Sequence, residues 1–257
     1  MRYTDLIFDL YGTLVDIHTE ENRAVWDKCA IFFGFYGVYL TGEELERNFY
    51  DILNSRKAKA GQSYECFPDI PFVEIVGQIF KERGVFENVE KLSIQVSQLF
   101  RILSIEYIRL YPKVLEALDY LRKKGFRLWL LSNAQQVFTS YELAYLRLDK
   151  AFDGIYLSSD YGCRKPDERF YKALIEENNL DVSKCIMIGN DRETDIAGAK
   201  RFNMTTLYMH TELTPKEQKA ADEAFHPDRA SFDCKAFEYE GDNWNELVRL
   251  IEIIANS

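Results

Sequence analysis

Asp5-Leu6-Ile7-Phe8-Asp9-Leu10-Tyr11-Gly12-Thr13-Leu14-Val15-Asp16 joins a short apolar run to a carboxylate, a glycine and a hydroxyl. Three consecutive apolar side chains at Leu6-Ile7-Phe8 suit a strand buried on both faces, the pattern of a parallel sheet. Asp9 closes the run, and Gly12 supplies the turn residue. Comparable runs recur at Leu128–Leu131, Ile155–Leu157, Cys185–Ile188 and Thr205–Met209, and a last strand is expected near Phe237–Tyr239. Between them lie segments with helical spacing. Lys113–Lys124 follows Pro112, carries Val114, Leu115, Leu118 and Leu121 on one face, and stops at Gly125. Asp167–Glu177 and Thr194–Phe202 are two more helices, with Asp167 placed as a helix N-cap. Asn243 with Glu246 reads as a capping box ahead of Leu247, Val248, Ile251 and Ile254. Strands alternating with helices of this length predict an α/β fold, a Rossmann-like parallel sheet core with right-handed crossovers.

Residues 17–109 break this rhythm. They lack clear strand runs, and Leu92, Val96, Leu99 and Leu103 form one helical stripe. Further helices start near Glu21, Thr41 and Phe72. The expected organisation is a core from 1–16 and 110–257, with a four-helix-type cap domain inserted over 17–109. Thr211–Cys234 is polar and reads as a surface excursion. The aromatic cluster Phe32, Phe33, Phe35, Tyr36 and Tyr39 is expected to pack in the cap core rather than to line a pocket or a dimer face.

The chain has 257 residues with 47% hydrophobic side chains, enough to build a sizeable core. Its formal charge of −10 repels nucleic acid and anionic lipid, so neither is an expected partner. A small molecule is. No apolar run is long enough for a membrane span, and no signal peptide is recognisable, so the cytoplasm is the expected compartment. Cys29, Cys66, Cys163, Cys185 and Cys234 are scattered and odd in number, which reads as reduced thiols. His18, His210 and His226 are isolated and lack ligand spacing. The composition leaves both a monomer and a homodimer open.

In a parallel sheet, ligands bind at the carboxyl ends of the strands. The first run ends at Asp9, the second at Ser132-Asn133, and a later one at Asn190-Asp191, with Lys165 before Pro166 between the last two. Acid, hydroxyl or amide, ammonium and acid thus fall in order along one sheet edge.

Asp9 to Asp16, Ser132-Asn133, Lys165-Pro166-Asp167, and Gly189-Asn190-Asp191 with Asp195 and Gly198-Ala199 resemble the four motifs of the haloacid dehalogenase superfamily. The match spans about residues 5–16 and 111–210, and the long insertion is similar to the helical cap of one subgroup. The resemblance implies a hydrolase in which Asp9 is a covalent nucleophile, attacking phosphorus or carbon to give an aspartyl intermediate that water releases. Gly12 would turn the chain and bring backbone N–H groups to an oxyanion. Thr13 and Ser132 would donate hydroxyls. Asn133 would orient a bound group, and Lys165 would hold the nucleophile and the transferred group together. Mg²⁺ would sit on Asp9, the Tyr11 carbonyl and Asp191, with Asp195 as ligand or support; Asn190 is the alternative to Asp191.

Tyr11 departs from the phosphatase pattern, which carries an acid–base Asp two positions after the nucleophile. A tyrosine there resembles the 2-haloacid dehalogenases, which need no metal because halide leaves without a proton. Those enzymes also use a cap arginine, for which Arg23 is the nearest candidate. The carboxylate pair Asp191 and Asp195 favours the other side, a Mg²⁺-dependent phosphatase acting on a small phosphorylated metabolite. A third class, a non-catalytic binding module on the same fold, is disfavoured by the intact set Asp9, Thr13, Ser132, Lys165 and Asp191.

Overall fold

The computed structural model describes residues 2–60, 67–214 and 236–256. Strand β1 (Asp5–Phe8) lies at the centre, paired in parallel with β4 (Arg127–Ser132) and β6 (Cys185–Gly189). Outside them run β5 (Gly154–Leu157), β7 (Thr205–His210) and β8 (Ala236–Glu240), giving the order β5-β4-β1-β6-β7-β8, all parallel. Phe8 stands level with Leu130 and with Ile188. Asp9, Ser132-Asn133 and Asn190 therefore emerge at one edge of the sheet.

Alternation along the central strands divides the core. Leu6, Phe8, Leu128, Leu130, Ile186 and Ile188 face α5 (Val114–Lys123) and α10 (Trp244–Asn256), whose Leu118, Leu121, Leu247 and Ile251 join the same cluster. Ile7, Trp129, Leu131 and Met187 face the opposite way, onto Phe170, Tyr171 and Leu174 of α8 (Glu168–Glu177). Leu6, Ile7 and Phe8 are fully buried, each worth about 1.5–3 kcal/mol on transfer from water.

Four helices follow the first motif: α1 (Arg23–Gly34), α2 (Gly42–Ala60), α3 (Phe72–Glu82) and α4 (Val89–Ser104). They close over a separate apolar cluster containing Trp26, Phe33, Phe49, Phe80, Leu92, Val96 and Phe100. Thr41 and Glu44 form a true capping box on α2: the Thr41 N–H donates to Glu44 Oε2 at 2.8 Å, and the Glu44 N–H donates to Thr41 Oγ1 at 3.2 Å. The aromatic cluster of α1 splits. Phe33 is buried and stacks on Phe80 at 4.1 Å, whereas Phe35 and Tyr39 are exposed.

Three sequence expectations need correction. The interval 17–109 is not free of strands: β2 (Val15–Thr19) and β3 (Ile105–Leu110) form an antiparallel ribbon at its two ends, with Val15 opposite Leu110 and Asp16 opposite Arg109. The ribbon is short, polar and partly exposed, so it lacks the all-apolar signature of the core strands. Over 194–202 the helix begins as a wide turn at Arg192–Ile196, capped by Asp191, and continues only as α9 (Ala197–Lys200). Asn243 does cap α10, accepting from the Asn245 N–H at 3.2 Å, but Glu246 does not reach back to close a box; it accepts from the Tyr239 hydroxyl at 3.2 Å. Two helices have no counterpart in the sequence reading, α6 (Gln136–Tyr145) and α7 (Ser158–Tyr161). Of the excursion Thr211–Cys234, residues 215–234, with His226 and Cys234, lie outside the described residues, as does Cys66. Cys29, Cys163 and Cys185 are buried. Among the described residues, no helix is long and apolar enough to cross a membrane.

Candidate active site at the carboxyl ends of the strands

Asp9, Lys165 and Asp195 form the centre of the site. Lys165 is 1% exposed, and its Nζ donates to Asp9 Oδ1 at 2.7 Å and to Asp195 Oδ1 at 2.6 Å. Asn133 sets the lysine's backbone: its Oδ1 accepts the Lys165 N–H at 2.8 Å, and its Nδ2 donates to the Lys165 carbonyl at 3.1 Å. The second oxygen of Asp195 accepts the Asp191 N–H at 3.0 Å. A Cβ at Gly189 would sit 2.3 Å from Asp195 Oδ2, so only glycine lets that carboxylate lie against the end of β6. Burial alone would lower the Lys165 pKa, but Asp195 and Asp9 outweigh it and hold the ammonium above its ordinary value. Burial pushes the Asp195 carboxyl up to about 7, against the pull of Lys165 and with the push of Asp9. Two carboxylates thus share one ammonium, and the buried centre carries a surplus of negative charge.

Gly12 takes φ +85, and a Cβ there would meet Asn190 Nδ2 at 2.2 Å. Its own N–H donates to the Val15 carbonyl at 2.8 Å. Its carbonyl accepts from Thr211 Oγ1 at 2.7 Å, which ties the loop to the end of β7. Thr13 is fully buried, with Oγ1 3.4 Å from Asp9 Oδ2 and 3.3 Å from Asn190 Oδ1. A cavity of about 190 Å³ is lined by Asp9, Ser132, Lys165, Asn190, Asp191 and Leu213, with Tyr11, Asn133, Thr194 and Asp195 completing its wall. Asp191 Oδ1 accepts the N–H groups of Glu193 and Thr194, so this carboxylate also caps the turn that carries Asp195. Arg23 pairs with Glu46 at 2.8 Å within the cap and is not part of the lining.

Tyr11 is turned toward the cap. Its hydroxyl lies 2.5 Å from Glu142 Oε2 and 3.0 Å from Thr139 Oγ1, both on α6. Arg101 of α4 grips the same carboxylate through Nε at 2.5 Å and Nη2 at 3.1 Å, and stands 5.8 Å over the Tyr11 ring. Burial first, then the Glu142 charge and its hydrogen bond, push the phenol well above its ordinary pKa. A second contact joins cap and core. Asp69 accepts from Ser158 Oγ at 2.5 Å and from Gln135 Nε2 at 3.0 Å, while Gln135 Oε1 accepts the Phe72 N–H at 2.7 Å.

A carboxylate, a buried ammonium and a hydroxyl at the mouth of a parallel sheet agree with the family comparison. The sequence model of the haloacid dehalogenase-like hydrolases matches residues 6–203. This chain belongs to that family. Among haloacid dehalogenase-like hydrolases of known activity, a glyceraldehyde 3-phosphate phosphatase from Methanothermobacter thermautotrophicus is 26% identical over 137 residues, covering 53% of this chain and 61% of that protein. The chain therefore spans about six-tenths of that relative's length. A phosphoglycolate phosphatase from Agrobacterium fabrum is 28% identical over 212 residues, 78% of each chain. An (S)-2-haloacid dehalogenase from Burkholderia cepacia is 22% identical over 215 residues, covering 84% of this chain and 86% of that one. The fold is also that of a 2-haloacid dehalogenase from Pseudomonas syringae, at a TM-score of 0.62, 19% identity, and coverage of 98% of this chain and 100% of that one.

The oxygen donors of this haloacid dehalogenase-like hydrolase suit a hard divalent ion, and the surplus negative charge around Lys165 favours one. Among the described residues, no three His, Cys, Asp or Glu side chains converge in an arrangement that could by itself hold a metal ion. Sequence reasoning missed Arg101, Glu142 and Thr139. Glu142 carried no signal, since a buried glutamate looks like any helix-surface glutamate until its arginine partner, 41 positions earlier, is known.

Proposed function

We propose that this hydrolase removes the phosphoryl group from a small phosphorylated metabolite through an aspartyl-phosphate on Asp9. The observation that carries the reading is the charge balance around Asp9: three carboxylates, Asp9, Asp191 and Asp195, line a small cavity with one ammonium, Lys165. That imbalance suits a site completed by a divalent cation and a phosphate rather than by a haloacid alone. Asp9 attacks phosphorus with the oxygen that Lys165 leaves uncovered. Lys165 orients Asp9 and steadies charge on the transferred group. Ser132 binds a phosphoryl oxygen, Thr13 steadies the Asp9 carboxylate from behind the cavity wall, and Asn133 acts through the lysine backbone that it holds. Asp9, the Tyr11 carbonyl and Asp191, with Asn190 as the alternative to Asp191, would hold Mg²⁺, and Asp195 would support the set through the Asp191 N–H. Bound there, the ion would supply positive charge to the phosphoryl oxygens. The phosphatase relatives support this reading.

A second reading, a 2-haloacid dehalogenase, has one observation in its favour. Tyr11 offers no free proton donor, and halide needs none. The deciding experiment is a hydrolysis screen of phosphate esters and short 2-haloacids, each with Mg²⁺ and with chelator. Phosphate release that chelator abolishes supports the first reading. Halide release unaffected by chelator establishes the second.

A further inference from the structure

Who protonates the leaving group is decided by the wall of the cavity. Tyr11 stands two residues from the nucleophile, but its O–H is committed to Glu142 and Thr139. Glu142 is itself buried and clamped by both arms of Arg101, so it neither approaches the cavity nor lines it. Both oxygens of Asp195 accept hydrogen bonds, from Lys165 and from the Asp191 N–H. Asp191 accepts two N–H groups on Oδ1 at the turn it caps. The Lys165 ammonium is held between two carboxylates. Ser132, Asn133, Asn190 and Thr194 are alcohols and amides, which are not acids at neutral pH, and Leu213 is apolar. Among the described residues, no lining group is placed to hand a proton to a departing alkoxide.

We infer that this site acts on phosphoryl groups carried by leaving groups that depart as stable anions, and that acyl phosphates are its substrate class. The inference rests on the phosphatase reading above. In the first step an Asp9 oxygen forms a bond to phosphorus while the bond from phosphorus to the acyl oxygen breaks. That bonding pair leaves on a carboxylate, and no proton moves. The product is the aspartyl-phosphate, itself an acyl phosphate. In the second step the oxygen of water bonds to phosphorus, the bond to Asp9 breaks, and Asp9 departs as a carboxylate in its turn. The water's protons end on inorganic phosphate and solvent. Both departures are therefore of the kind this wall permits. The cavity of about 190 Å³ holds a phosphoryl group with a short acyl chain, and is smaller than the roughly 300–1,000 Å³ of drug-sized ligand sites.

The test uses the wild-type chain with Mg²⁺ and a graded set of phosphates: acetyl phosphate, 4-nitrophenyl phosphate, phenyl phosphate and glycerol phosphate. A positioned general acid is worth about 10²–10⁴-fold, and its absence should fall on the poorest leaving groups. The expected order of kcat/KM is acetyl, nitrophenyl, phenyl and glycerol phosphate, with the last at least about 10²-fold below the first. Glycerol phosphate turned over within tenfold of acetyl phosphate would overturn the inference while leaving the phosphatase reading intact. Chloride release from 2-chloropropionate, with every phosphate inert, would overturn both. A metal-dependent enzyme that prefers alkyl phosphates would show that a proton reaches the leaving group by a route other than these ten residues.

Discussion

Lys165→Met removes the one positive charge from the buried centre and keeps the length of the side chain. Wild-type Lys165 contacts Asp9 at 2.7 Å and Asp195 at 2.6 Å, and both it and Asp195 are buried. Breaking a buried ion pair by removing one partner typically costs about 3–5 kcal/mol, because the remaining charge is stranded. For a chain of this size, 1 kcal/mol moves Tm by about 2–4 °C, so the expected loss is roughly 6–20 °C at pH 8. The loss should depend on pH in a definite direction. Asp195 already stands at about 7 with the ammonium present, and without it the folded value rises further. The folded state then binds protons that the unfolded chain does not, in the window between the ordinary carboxylate range and the raised folded value. Wild-type Asp195 takes up the same proton below about 7, so the deficit should be largest above the variant's raised value, shrink by about 1.4 kcal/mol per pH unit between that value and about 7, and level off at lower pH. Adding Asp195→Asn should restore part of the loss by removing the second charge. Thermal unfolding followed by circular dichroism from pH 8 to pH 5 measures all of this. A deficit below about 1 kcal/mol, or one that grows on acidification, would refute the charge accounting.

Three other outcomes follow from the geometry. Asp9→Asn should stay folded and lose turnover, since the amide keeps the shape and not the nucleophile; intact-mass detection of a phosphorylated wild-type chain and none in the variant checks it. Glu142→Ala should cost about 3–5 kcal/mol by stranding Arg101, and Arg101→Met in the same chain should recover much of it, as read by denaturant midpoints. Gly12→Ala should destabilise by more than about 1 kcal/mol and impair turnover, because φ +85 disfavours a side chain and the new Cβ would meet the Asn190 amide at 2.2 Å; thermal melts and steady-state assays read both.

The parts that could be read in advance are those where one local rule suffices. Leu6-Ile7-Phe8 and Cys185–Ile188 are apolar on both faces, so a central parallel strand is their one economical use. Asp9, Ser132, Lys165 and Asp191 follow from strand ends and motif order, and the structure brings all four to one cavity. What stayed hidden depends on long-range pairing. Helix α6 buries Thr139 and Glu142 along with Leu143, which erases the apolar stripe that would have announced it. The ribbon alternates polar and apolar side chains over five or six residues and runs directly out of α4, whose periodicity masks its start. Gly12 was placed correctly as the turn, but the fate of its N–H depends on Val15 folding back, which no residue type encodes.

The ribbon also says how this chain can diverge. Asp16 and Arg109 face each other across it, joined by an ion pair at 2.7 Å, so the polypeptide leaves the sheet and returns to it at a single point. Residues 20–104 are in effect the contents of one oversized hairpin loop. Lengthening a loop costs little chain entropy once its ends are pinned, about 0.6 kcal/mol for each doubling. A lineage could therefore shorten, enlarge or replace that loop while the six parallel strands and Asp9 stay where they are. A gene in which Ile17 is joined to Ile108 by a two-residue turn would be the smallest version of that edit.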